Sequence, residues 1–213
     1  MNAKVNSLIG FGAGGAGGAV VPAEIIESGA TGGAIADAQE GDVVVAMQGH
    51  LTNTPSLLLS GFTSIKLRTS TYNWSADPSY YVRGRLQYKI LTGLETTIPS
   101  STGGGNWVQF RADKPITSVS FTETSGQIST FAGSYAAVSE GAPKRACIRV
   151  VGTAGYQCQS TTQSLTTGDP QELAEANNYS EFLATDSFEA GSYSTTQGTF
   201  QSPSFFATLT CEE

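Results

Sequence analysis

Apolar and polar residues alternate with period two along most of this chain. Between Gly41 and Leu91 three such runs, GDVVVAMQGH, LLLSGFTSIKL and YYVRGRLQYKIL, are separated by turn residues. In the last run Val82, Leu86, Tyr88 and Ile90 fall on one face, while Tyr81, Arg83, Arg85, Gln87 and Lys89 fall on the other. That is the period of a half-buried antiparallel strand, with one face for a core and one for solvent or a partner. Gly84 in its middle predicts a bulge or a close approach of another backbone. The same reading predicts strands at 20–26, 43–47, 56–60, 62–67, 107–110, 116–122, 128–138, 146–151 and 200–210. Short strands at regular spacing indicate an all-β fold, a two-layer antiparallel β-sandwich of jelly-roll-like type.

Two stretches depart from this period. Residues 10–18 are a near-continuous Gly/Ala run, which holds no conformation by itself. Residues 1–19 therefore read as a Gly-rich amino-terminal arm, with Val5, Leu8, Ile9 and Phe11 as its anchoring side chains, and 20–213 as the sandwich domain. Within that domain, 152–180 read as a long exposed connection followed by one short helix. Asp169 is placed to cap, Pro170 to open and Glu172 to complete a capping box, giving a helix over 170–177.

Composition narrows the class. Of 213 residues only 14% are charged and 25 are Gly, and the apolar positions recur along most of the chain, so a rigid, weakly charged surface is expected rather than disorder. With 11 Lys and Arg against a net charge of −7, nucleic acid is not an expected partner. The apolar amino-terminal run is too short for a secretion signal and no membrane span follows, so assembly in a cytoplasm is expected.

No chemistry-bearing constellation stands out. Gly10-Phe11-Gly12-Ala13-Gly14-Gly15 fits G-x-G-x-x-G, but the helix that would face a pyrophosphate does not follow, and no cofactor is expected. The single histidine, His50, has no nucleophile elbow to serve. Cys147, Cys158 and Cys211 form no CxxC pair, and no metal site or catalytic residue is expected. Asp37, Glu40 and Asp42 read as solvated turn acids, with an ion held by mixed oxygens as the alternative. Arg83, Arg85 and Lys89 make the most concentrated positive face; water, an acidic neighbour or a polyanionic glycan would each suit it. Tyr72, Trp74, Tyr80 and Tyr81 surround the preceding loop, where aromatics either pack at a core rim or stack on sugars.

Read in order, Glu40-Gly41-Asp42-Val43-Val44-Val45, Gly61-Phe62-Thr63-Ser64-Ile65 and Leu86-Gln87-Tyr88-Lys89-Ile90 resemble a recurrent domain of tailed-bacteriophage virion proteins, with Phe62 where Trp is commoner. The resemblance covers residues 20–155. It implies a non-enzymatic virion component of tail, collar, fibre or head-decoration type, with other virion proteins (tail, collar or major capsid protein) as partners, homo-oligomeric copies and a host surface glycan as a further contact. Residues 152–213 match no pattern of that domain.

Overall fold

The computed structural model describes residues 23–51, 56–69, 81–127, 130–141, 143–155, 162–167, 171–173, 180–197 and 202–213. Five strands, Glu24–Ala30 (β1), Glu40–His50 (β2), Thr63–Thr69 (β3), Arg83–Thr92 (β4) and Gly104–Arg111 (β5), form an antiparallel sheet in the order β1-β5-β2-β4-β3. Ser118–Gly126 (β6), Lys144–Ala154 (β8), Gln171–Leu173 (β10), Ser180–Thr185 (β11) and Ser204–Glu212 (β13) form a second, in the order β10-β11-β8-β13-β6. Thr130–Tyr135 (β7), Thr162–Leu165 (β9) and Gly191–Thr196 (β12) make a small third sheet, in the order β7-β12-β9.

The first two sheets face each other across the main core. Val43, Val45 and Met47 of β2, Leu86 of β4 and Phe110 of β5 meet Ile148, Val150, Phe182, Phe205, Ala207 and Leu209 of the second sheet. Gly84 is where the layers come closest. A Cβ there would stand 2.7 Å from the Ala154 carbonyl oxygen and 2.8 Å from the Phe205 ring, so its place in the strand is a close approach rather than a bulge.

Both sheets are also buried on their far sides. Val151 and Phe206 on the outside of the second sheet pack under Phe131, Tyr135, Leu165 and Tyr193 of the third. Val44, Ala46 and Trp107 on the outside of the first pack under Ile35, Leu59, Phe62 and Ile98, which lie on loops. This explains the uninterrupted apolar run of β2, since a strand covered on both faces has no side on which to place polar residues freely.

Polar side chains that do face outward from the first sheet hold its loop cover. Gln48, Gln87 and Gln109, one on each of three adjacent strands, are all fully buried. Gln48 donates to Thr31 Oγ1 at 2.6 Å and accepts from Ser101. Gln87 accepts from the Leu59 N–H at 2.9 Å and donates to the Leu57 carbonyl at 3.0 Å. Gln109 donates to the Asp37 carbonyl at 2.7 Å and to Asp42 Oδ2 at 2.6 Å. Each amide thus pins a different segment of covering chain.

Several expectations are corrected. Successive strands do not alternate between sheets as in a jelly roll; β1 to β5 fill the first sheet before β6 opens the second. At 171–173 the expected helix is replaced by β10, whose residues pair with Leu183 and its neighbours on β11, so tertiary pairing overrides the local cap signal; residues 170 and 174–177 lie outside the described residues. Residues 56–60 form a loop rather than a strand, and the connection after β8 carries β9. The polar face of β4 meets solvent only in part: the 56–62 segment lies over Gln87 and buries it, while Arg83, Arg85 and Lys89 are half-buried.

Asp42 is likewise not a solvated turn acid. It is 2% exposed and accepts from Arg111 Nε at 2.9 Å, Arg111 Nη2 at 2.8 Å, Gln109 Nε2 and the Gln39 N–H. Gly41 beside it has φ +86°, and a Cβ there would meet Pro115 Cα at 2.4 Å, so the turn that presents Asp42 needs glycine. Removing the carboxylate takes the acceptor from Arg111 Nε and the Gln39 N–H, while Arg111 and Gln109 keep their bonds to Asp37. Asp42→Ala is therefore expected to lower the unfolding free energy by about 1.5–3 kcal/mol in urea titration, the worth of hydrogen bonds to a charged group, and a loss below about 1 kcal/mol, the range of exposed pairs, would contradict this role.

Candidate functional site

The residues singled out from the sequence separate in the structure. Val5, Leu8, Ile9 and Phe11 of the arm, and Tyr72, Trp74 and Tyr80 of the aromatic loop, lie outside the described residues, as does Cys158. Tyr81 is half-buried just before β4. Arg83, Arg85 and Lys89 do share one face of β4, yet β4 lies between β2 and β3, so they are not edge guards. Lys89 is engaged by Glu95 at 2.7 Å, and Arg83 donates to Thr69 Oγ1 at 3.2 Å. Burial, and then the neighbouring Arg83 charge, push the Arg85 guanidinium below its ordinary value. His50 sits opposite Arg83 on β2, and burial holds its imidazole below the usual range, which favours the neutral ring.

Nothing in these positions assembles a reacting group. Burial pushes the Cys147 thiol up to about 11 and the Cys211 thiol to about 12, so both are poor nucleophiles near neutral pH. Among the described residues no three His, Cys, Asp or Glu side chains converge as a metal set, and no helix is long and apolar enough to cross a membrane.

A different feature has the shape of a binding site. The third sheet covers only part of the second, and at the step between them runs a groove of about 280 Å³. Its β6 wall carries the hydroxyls of Thr122 and Thr124, while the Glu123 carboxylate between them turns to Lys66 of the first sheet; opposite stand Tyr135 and residues 136–138, with Phe206 and Thr208 of β13 between. The aromatic side is rigid. Tyr193 stacks on Phe206 with ring centroids 4.0 Å apart and planes 5° from parallel, and Tyr135 stacks on Phe206 at 5.2 Å and 12°. Apolar walls with a few placed polar groups are what small-ligand sites are made of.

Sequence reasoning missed this groove because its walls come from strands far apart in the chain. One signal was available: Phe205 and Phe206 are adjacent on β13, and two large apolar neighbours in a strand require cover on both faces. No protein-family model matches the chain, and neither a curated protein nor a solved structure matches it significantly.

The ion pair on β4 has a pH signature. Partial burial pushes the Glu95 carboxyl up, but the Lys89 ammonium and the Thr92 N–H more than offset this and hold it at about 2, against an ordinary 4.5. A carboxyl depressed on folding adds stability that is full above its unfolded value and disappears as pH falls through its folded one. The melting-temperature deficit of Glu95→Gln should therefore be constant above pH 4.5 and fade towards pH 2, corresponding to about 1 kcal/mol after solvent screening. A deficit that does not vary over this range would contradict the pairing.

Proposed function

We propose that this chain is a non-enzymatic structural component of a bacteriophage virion, assembled in the host cytoplasm. It attaches to the particle through residues 1–19 and presents its sandwich outward as a tail, collar or fibre-associated part, with head decoration as the nearest variant. Its partners are other virion proteins and further copies of itself.

The observation that carries this reading is the placement of the three sequence segments that resemble phage virion domains. Glu40 to Val45 open β2, Gly61 to Ile65 lead into β3, and Leu86 to Ile90 lie on β4, three strands adjacent in one sheet in the order β2-β4-β3. Their distinctive residues serve the scaffold: Gly41 and Gly61 take positive φ, and Asp42 and Gln87 anchor covering loops. A motif whose residues are spent on rigidity suits a protein whose task is to hold its shape in an assembly. With residues 1–19 deleted, the chain should remain folded and soluble but be missing from purified particles analysed by mass spectrometry. Incorporation at the full-length level would contradict the anchoring role.

A second reading, a carbohydrate- or receptor-binding module for host attachment, is favoured by the groove beside β6, where aromatic rings and hydroxyls share one cavity.

A further inference from the structure

Between the second and third sheets the packing changes from apolar to polar within one step along the strands. Val151, Phe206, Tyr193 and Leu165 belong to the apolar cluster that joins the two layers. Two residues further along each strand, the same inward positions hold Thr153 of β8, Ser204 of β13, Thr195 of β12 and Gln163 of β9. Thr153, Ser204 and Thr195 are fully buried, and Gln197, just past the end of β12, is 6% exposed.

These positions close into a ring. In the second sheet Thr153 is paired in register with Ser204 on one side and with Glu181 of β11 on the other; in the third, Thr195 is paired with Gln163. The sheets are tied at both ends of these rows. Thr195 Oγ1 and Ser204 Oγ share a hydrogen bond of 3.1 Å, and Gln163 Nε2 donates to the Glu181 carbonyl at 2.7 Å. Gln197 Nε2 adds a second bond on the Ser204 side, donating to Ser204 Oγ and to the Ser202 carbonyl, each at 2.6 Å. Directly paired residues hold their Cβ atoms about 5 Å apart, so Thr153 stands between the two ties, one strand from each.

Three buried atoms of this assembly have no hydrogen-bond partner in the protein: Thr153 Oγ1, Gln163 Oε1 and Gln197 Oε1. Both amide nitrogens are already committed, which leaves two acceptors and one hydroxyl able to donate. A water molecule is the complement of that set, with two O–H donors and an oxygen that accepts. A cation suits it less, because the four side chains around Thr153 are neutral amides and hydroxyls and a buried ion needs a counter-charge.

We infer that this ring binds one structural water, which donates to Gln163 Oε1 and Gln197 Oε1 and accepts from Thr153 Oγ1. Three hydrogen bonds are the usual number for a buried water. Because its partners come from both layers, the water is a joint between the second sheet and the third. The third sheet in turn supplies the Tyr135 and Tyr193 wall of the groove.

A high-resolution crystal structure of the full chain tests the site directly. One ordered water should lie within about 2.5–3.0 Å of all three oxygens. Absence of density between them, or side chains that turn to pair with one another, overturns the inference, as does an ion recognised by more oxygen contacts than a water makes. Thr153→Val keeps the shape and removes the donor, so hydrogen exchange at the backbone N–H groups of β9 and β12 should quicken about fivefold, the loss of one hydrogen bond, while β2 is unchanged. Unaltered exchange in β9 and β12 overturns the water's role as a joint. Should the variant not fold, the density in the unaltered protein decides.

Discussion

A β-sheet buried on both faces must give its polar side chains partners inside the protein, and in the first sheet of this chain three glutamine amides tie the covering loops in this way. Gln48, Gln87 and Gln109 lie on neighbouring strands and face away from the main core. Each amide bonds a separate piece of chain, so the loops around Thr31, Leu57 to Leu59 and Asp37 to Asp42 are fixed where Val44, Ala46 and Trp107 need cover. Without those bonds each buried amide would cost about 1–3 kcal/mol, offsetting part of what the apolar cover returns.

The same logic runs through the far side of the molecule with a different outcome. The third sheet covers the second through stacked aromatics, but there the outward polar residue at the centre is Arg149, whose hydrogen-bonding capacity is only partly used. The outer side of the first sheet is thus closed by loops, while the outer side of the second leaves a groove open beside the third sheet.

Strand positions were legible because period-two patterning is a local property, and the all-β class followed from it. Cover on both faces was legible in part: Val43 to Met47 and Phe205-Phe206 are runs with no polar side. The destination of Arg83, Arg85 and Lys89 was not, since alternation tells which residues share a face but not whether a loop or water covers it. Asp42 looked like any turn acid, and only the long-range partner Arg111 makes it a buried anchor. Asp169 and Pro170 announce a helix in isolation, yet 171–173 pair with β11, a competition that local signals do not contain. The groove required three sheets to be placed before its walls existed.

Hydrogen–deuterium exchange across the first sheet addresses the two-face burial most directly. If the buried amides hold the outer layer, the backbone N–H groups of Leu59, Phe62 and Ile35, which are hydrogen-bonded in that layer, should exchange nearly as slowly as those of β2 and β5 beneath them. Exchange at these three positions at the rate of an open loop, while β2 and β5 stay protected, would contradict the account.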